Sequence, residues 1–580
     1  MHYLLVLTLT TQIGAALPAD SVNRLRNSAR QAEAKFERLA RNLAPVTWGA
    51  TSGRTCDEIV GRFCLRFDST SVRPPAGEAG AVVDARRDAV EALRRYFSAA
   101  PGEGAAAGPL VRLLILDARA REALSAAATF AALSADTTLG HQLLGLAHHA
   151  AGETEEAERH YVEAVVRLDD AERARRTDVG WLIDPAERRQ VGRLSGADRA
   201  EYERRLWLVS DPLWLTAANE RWIEHMARHT EAQLLARVPV VGGMLSWGRD
   251  LDELTVRYGT PSSRTQVRGN QPWDPSSFVE YFDTAQRAYT PPRWLGDGLP
   301  APPLPGEPPP LYSARARSGY AMQNVDRVTD LPHQATRFLS GVDLVLRVDG
   351  AVPSPVQPAE GARPQIGLFA YDSAFTSRRQ TTRYATWAGD TIRFSLTLRS
   401  PPGRIIYSVE LLDPATRFAA RARYALDAEL PADGPIVSDL LISRPFGLRL
   451  PSRRDDPVLN GLHTLIVPAG STLGVYAEVY RLSTPGPDAL RVEFALEPAD
   501  RPGRLAQFAR WIGRTTGIIQ PQTDPRVAWS EDVEAGVHPI AVNLPLDPRR
   551  SGRQVLVLRV TDTVTGVTAE TRRPLLIRGS

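Results

Sequence analysis

Between Tyr289 and Tyr312 the chain reads YTPPRWLGDGLPAPPLPGEPPPLY. Proline removes a backbone donor and fixes φ, so neither a helix nor a central strand survives this density. The segment has no apolar period and predicts an extended spacer over residues 291–335. It also separates two kinds of sequence. Before it, apolar residues recur at helical spacing; after it, they alternate. A chain of 580 residues, divided by a typical domain size of roughly 150, suggests about three to five domains. The expected class is multidomain: an all-α N-terminal half, a small α+β module, and two antiparallel β-sandwiches of immunoglobulin type.

Residues 20–100 read as helical. In AVVDARRDAVEALRRYFSAA the stripe Val82, Ala85, Ala89, Leu93 and Tyr96 follows a helix period. The stretch PGEGAAAG at 101–108 reads as a loop that breaks this helix. Helical sequence resumes over 101–200. There HQLLGLAHHAAGETEEAERHYVEAVVRLD, 141–169, carries Leu144-Gly145 in a first helix and Gly152 in a turn. Ala157, Tyr161 and Ala164 follow in a second helix. This resembles a tetratricopeptide (TPR) repeat, in which small residues let two antiparallel helices approach and an aromatic fills the space between pairs. His148 and Asp169 depart from the family's usual Tyr and Pro. Ala123 lies 34 positions before Ala157, in a weaker copy of the second helix. A helical array needs about three units to bury its core, so helices at 82–98 and 184–200 are expected to complete it.

Residues 201–290 hold Trp207, Trp214 and Trp222, an Asp211-Pro212 break, a helix over about 216–236, and then SWGRDLDELTVRYGTP. In LDELTVRYG, Leu254, Val256 and Tyr258 alternate with Glu253, Thr255 and Arg257, which predicts a strand ended by a Gly-Thr-Pro turn. SSFVEYF at 276–282 is the expected antiparallel partner. The order of elements, with Trp247, Gly248 and Asp250 and then Tyr258, Gly259 and Pro261, resembles the GWxTD domain. That family is found in bacterial envelope-type proteins beside TPR repeats. The resemblance implies that Trp247 packs over the helix pair and that Asp250 caps a turn through backbone N–H groups.

Residues 336–450 and 451–580 read as the two sandwiches, with a boundary near LPSRRDDPVLNG. DTIRFSLTLRS places Ile392, Phe394, Leu396 and Leu398 on one face, and TLGVYAEVYRL does the same with Leu473, Val475, Ala477 and Val479. A hairpin is expected around Thr565-Gly566.

Composition narrows function. Lys+Arg is 70, and the one lysine is Lys35, in QAEAKFERLARNL. A phosphate-binding Walker loop, a pyridoxal phosphate enzyme and a protein kinase each need a placed lysine, so these classes are excluded. A net charge of +3 gives no nucleic-acid footprint. The apolar run from Leu4 to Leu17, followed by small residues, reads as a signal peptide over 1–19. Cys56 and Cys64 are the two cysteines; in an exported protein they are expected to form one local disulfide.

Histidines give no assigned metal site. In EHMARH, His225 and His229 are i, i+4, but Glu224 precedes the first histidine, so a zincin motif fails. These two are expected on a solvated helix face. His141, His148, His149 and His160 are expected to face solvent or line a groove. The reading is thus an exported, periplasmic or outer-membrane-associated scaffold, with no catalytic residue, cofactor or metal assigned. It would bind a protein partner of the cell envelope through its TPR-like helices. The alternatives are an envelope polysaccharide or peptide hydrolase, and a carbohydrate-binding sandwich with Tyr384, Trp387 and Trp529 as platform residues.

Overall fold

The computed structural model describes residues 18–42, 46–48, 57–66, 79–238, 247–259, 263–268, 277–281, 299, 301–307, 320, 322–353, 361, 363–428, 434–482, 486–499, 526–533 and 536–579. The N-terminal half is α-helical and the C-terminal half is β-rich, with several sheets. The chain divides into two compact units. The first holds Met1–Pro212, Ala217–Thr290 and Ala314–Gln323; the second holds Leu213–Thr216, Pro291–Ser313 and Asn324–Ser580. Among the described residues no helix is long and apolar enough to cross a membrane.

In the first unit, α1 is Ala19–Asn42, α2 Gly80–Ala99, α3 Gly104–Leu116, α4 Ala120–Leu133, α5 Thr137–Ala150 and α6 Thr154–Arg167. Then follow α7 Asp170–Thr177, α8 Pro185–Val191, α9 Gly196–Ser210, α10 Glu220–Ala236 and α11 Arg249–Tyr258. Several starts are set by side-chain caps. Asp136, Asp169, Asp184, Ser195 and Asn219 each accept a backbone N–H from the first turn that follows. Consecutive helices from α1 to α6 pack side by side, and α10 lies against α3, α5 and α6. One apolar core runs through them, from Ala29 to Leu234. The stripe expected at 82–96 is buried throughout.

The loop expected over 101–108 is shorter than its composition suggests. The chain turns at 101–103 and α3 begins at Gly104. Small residues here serve close packing: a Cβ on Gly104 would lie 2.6 Å from Leu139 Cδ2, and one on Gly108 2.6 Å from Leu234 Cδ2.

The first unit also contains a five-stranded sheet. Its strands are β1 Val46–Trp48, β2 Glu58–Val60, β3 Phe63–Arg66, β4 Ser263–Arg268 and β5 Ser277–Tyr281, in the order β1-β4-β5-β3-β2. Residues 251–258 are therefore not the strand that their alternation predicts. They form α11, and the 277–281 segment pairs instead with β4, antiparallel, and with β3, parallel. The physical reason is burial on more than one side: Leu251, Leu254, Thr255 and Tyr258 follow a helix period and are all buried. Asp250 and Asp252 in the first turn suit a helix N-terminus.

In the second unit the strands are β6 Arg327–Asp330, β7 His333–Ser340, β8 Asp343–Pro353, β9 Gln365–Asp372, β10 Arg378–Tyr384, β11 Thr391–Ser400, β12 Ile405–Asp413 and β13 Phe418–Leu426. They form the sheets β10-β9-β12-β13-β6 and β11-β8-β7, which share one apolar core. Next come β14 Ile436–Val437, β15 Leu441–Ser443, β16 Ile466–Pro468, β17 Thr472–Tyr480, β18 Gly486–Pro498, β19 Arg526–Val533, β20 His538–Pro545, β21 Gly552–Asp562 and β22 Thr568–Arg578. These build β14-β17-β15, with β20 on β17, and β16-β22-β21-β18-β19, around a second core.

In the second unit, pairing among the described residues is antiparallel except β6 on β13 and β16 on β22, which are parallel. Strands β6 and the start of β7 fall inside the segment expected as spacer, and β14 and β15 pair with β17 although they precede the expected boundary near 450. On β11, Ile392, Phe394, Leu396 and Leu398 alternate with exposed residues as the sequence predicts. The β21–β22 hairpin turns at Gly566, with φ +73°.

Strand β17 departs from simple alternation, because its second face is covered too. Glu478 is buried there and accepts hydrogen bonds from Tyr476 and Tyr480 at 2.8 and 2.5 Å, and from Arg454 at 3.2 Å.

Candidate functional site

Residues that resemble the GWxTD domain form a structural joint in the first unit. Gly248 is the N-cap of α11, in extended backbone. Trp247 donates its indole N–H to Asp252 at 2.8 Å. Its ring packs with Val60, Phe63, Leu65, Leu251, Leu254 and Tyr258, so it covers β2, β3 and α11 rather than the helix pair. Asp250 lies in the first turn of α11, not at its cap, and accepts from the adjacent Leu251 N at 2.9 Å. Most of its bonding is to Arg62, whose Nε and Nη2 donate at 2.5 and 2.7 Å. Burial alone would raise the Asp250 carboxyl, but the Arg62 hydrogen bonds outweigh it and hold the group below its ordinary range.

At the other end of α11, Tyr258 and Arg257 both reach Glu58 on β2, at 2.5 and 2.6 Å. Gly259 closes the helix with φ +70°, a conformation that favours glycine. Arg228 donates to the Arg257 carbonyl at 2.8 Å and to Glu224 at 2.6 Å. Pro261 lies outside the described residues. Among the described residues Asp250, Arg257 and Tyr258 tie α11 to the β2–β3 hairpin. Arg62 and Glu58 were not visible as partners in the sequence, because they lie roughly 190–200 positions away.

The α5–α6 hairpin brings the other set together. A Cβ on Gly145 would lie 2.9 Å from the Tyr161 ring, so only glycine lets the helices approach this closely. Gly152 turns the chain with φ +76°. Ala157, Tyr161 and Ala164 are buried, and Leu144 packs against the core. Tyr161 meets Trp222 of α10 edge-on, with centroids 6.5 Å apart. Cys64 lies on β3 and is not a free thiol; Cys56 lies outside the described residues, as do residues 1–17.

Histidines divide into two groups. His225 and His229 are buried, not on a solvated face. Helix α10 is polar by letter yet lies against α3, α5, α6 and α9, which supply partners. His225 Nε2 donates to the Arg176 carbonyl at 2.9 Å, and its ring lies 4.6 Å from His229 and 4.8 Å from Trp207. Burial, with Arg221 nearby, pushes the His225 imidazole down to about 3. Burial also pushes His229 well below its ordinary value.

The second group lies between α5 and α6. His160 Nδ1 is 3.0 Å from His141 Nδ1, and the His148 and His160 rings stack with centroids 5.3 Å apart. His148 Nδ1 meets Glu153 at 2.7 Å. His149 turns away from them and meets Glu224 at 2.7 Å, within reach of Gln323. Burial and then Arg159 lower His160 to about 4. His148, Glu156 and His160 each offer a ligand atom, and the three atoms lie within 4.8 Å of one another.

The platform residues do not form a common aromatic surface. Tyr384 is exposed, with Arg363 over its ring at 5.5 Å. Trp387 packs on the first β core and donates to Asp413 at 3.1 Å. Trp529 stacks on Phe494 at 5.9 Å and donates to Glu531 at 2.6 Å.

One cluster escaped the sequence reading altogether. In the second unit Trp214 is buried with the Arg423 guanidinium 3.8 Å from its ring centroid, and Arg423 pairs with the fully buried Glu410 at 2.8 Å. Glu410 also accepts from Leu215 N at 2.9 Å and Ser408 at 2.6 Å. The tryptophan beside Asp211-Pro212 was the available signal, since such a break presents a side chain away from the helix before it.

No family model and no curated protein matches this chain. Among solved structures it is similar to Salmonella alpha-2-macroglobulin reacted with methylamine, at 11% identity over 45% of this chain and a TM-score of 0.15. This chain spans 17% of that protein's length. A likeness of that extent says nothing about fold or activity, and the TPR and GWxTD resemblances rest on this chain's residues alone.

Proposed function

We propose that the protein is an exported, non-catalytic scaffold of the bacterial cell envelope that binds a protein partner through TPR-like helices of residues 104–167. The observation that carries this reading is the α5–α6 hairpin. Its glycine-to-tyrosine approach and its left-handed glycine turn are what a TPR unit requires. Helices α4 and α6 begin 34 residues apart, at Ala120 and Thr154, which supports a preceding unit in α3–α4. Helix α6 carries Val162 and Val166 on its exposed side, 47% and 68% accessible. Apolar residues one turn apart in water suit a partner helix. The apolar run at 4–17 supports export, and on this reading Cys56 and Cys64 pair with each other. On this reading the segment near 201–290 is a GWxTD-like module, and the two β cores belong to sandwiches that act as spacers.

The test is crosslinking of residues 20–580 to an envelope fraction, beside the double variant Val162→Asp/Val166→Asp. The expected result is a distinct protein that, once purified, binds the wild-type chain and binds the variant at least tenfold more weakly. Equal binding to both, or capture of glycan in place of protein, overturns the reading.

A further inference from the structure

In a neutral imidazole one ring nitrogen carries the proton and the other offers a lone pair; the partner of the first sets which is which. Arg159 can only donate. Its Nη2 lies 3.2 Å from His160 Nε2, so Nε2 accepts. The His160 proton is therefore on Nδ1, where it is donated to His141 Nδ1 at 3.0 Å. His148 gives its Nδ1 proton to the Glu153 carboxylate at 2.7 Å, which leaves its Nε2 lone pair for another ligand. Two stacked histidines thus have their Nδ1 sides held by other side chains and their Nε2 sides unprotonated. Metal-ligating histidines are held in this way, each donating its second ring N–H to an orienting acceptor.

A cation already marks the spot. The same Arg159 Nη2 that approaches His160 Nε2 also donates to the Glu156 carboxylate. Glu156 and His160 are i, i+4 on α6 and converge on one positively charged nitrogen, and His148 on α5 brings the third ligand atom to within 4.8 Å. Arg159 is 58% exposed at its side chain and free to swing into water. Glu156 is exposed and His160 buried, so the cluster opens to solvent at one end.

We propose that His148, Glu156 and His160 bind a single divalent transition-metal ion of the zinc type, with His141 as the residue that positions His160. Two imidazoles and a carboxylate suit such an ion, and three protein ligands leave a fourth position for water. Zinc–nitrogen bonds of about 2.0–2.1 Å set tetrahedral ligand atoms roughly 3.4 Å apart. The exposed Glu156 side chain supplies the closure when Arg159 leaves. All ligands come from this chain, and the site stands whether or not the helices bind a protein.

The experiment is calorimetric titration of zinc into the untagged chain, residues 20–580, with cobalt absorption as a second readout of ligand geometry. One zinc per chain is expected. Glu156→Gln, at an exposed position that leaves the fold intact, and His148→Asn should each weaken binding at least tenfold. Arg159→Ala should bind as well as the wild type or better, since it removes the competing cation. His141→Leu should weaken binding about 10–100-fold, and His141→Gln, which retains an acceptor oxygen, should recover it. No zinc bound by the wild type overturns the site, as does a loss of less than tenfold in both Glu156→Gln and His148→Asn. A His141→Gln chain no better than His141→Leu overturns the positioning role.

Discussion

Helices α6 and α10 each place a histidine four residues from a second metal-competent side chain, Glu156 with His160 and His225 with His229. On α10 the pair is sealed. His225 is fixed by a backbone carbonyl, its ring lies against Trp207 and His229, both histidines are buried, and neither reaches a carboxylate in the described contacts. On α6 the pair lies at the rim, beside a carboxylate, an arginine and two further histidines. The same spacing gives a packing element in one place and a ligand set in the other. What separates them is the partner of the second ring nitrogen and the access of water.

The largest expected effect tests the burial that both pairs share. His225 near 3 and His160 near 4 lie below the ordinary histidine value of 6.5. An unfolded chain therefore takes up protons that the folded chain refuses. Stability is complete above pH 6.5 and falls as pH drops through that value toward the folded ones, by about 1.4 kcal/mol per pH unit for each group. Urea unfolding at pH 7 and pH 5 should differ by about 4 kcal/mol from these two groups, and His225→Gln should remove about half of the difference. A pH-independent midpoint would mean that neither ring is sealed as described.

Next in size is a contrast between the two helices. His225→Ala removes a buried ring and orphans the Arg176 carbonyl, which should cost about 3 kcal/mol. His148→Ala, at a partly open position, should cost about 1 kcal/mol. Denaturant midpoints of the two variants measure this, and equal losses would erase the distinction. A third effect concerns zinc at one hundred times its dissociation constant for the wild type. It should stabilise the wild type by about 2.7 kcal/mol and His225→Gln by the same amount, but His148→Asn by about 1.4 kcal/mol or less.

What the sequence could convey followed range. The α5–α6 hairpin was legible because Gly145 meets Tyr161 and Gly152 turns the chain between them, all within a short span. Strand β11 was legible because one of its faces is solvated, so its letters alternate. Residues 251–258 alternate as well, and there the pattern misled. Tyr258 and Arg257 are held by Glu58, roughly 200 residues earlier, and that partner lets both faces of a helix be buried. The same holds for Glu478 on β17, which needs Arg454 and two tyrosines to be buried. Burial of His225 depended on a carbonyl of α7. A polar letter announces solvent only when no distant group is waiting to bond it.

The sheet of the first unit joins strands at 46–66 to strands at 263–281, with ten α-helices, α2 to α11, in the interval among the described residues. A ribosome therefore delivers β1 and β3 long before β4 and β5 exist to pair with them. Until then two strand edges stand open, and open edges recruit foreign strands. Any truncation that stops before residue 263 keeps them open permanently. The helical array cannot be excised at its own C-terminus without leaving behind a sticky half-sheet.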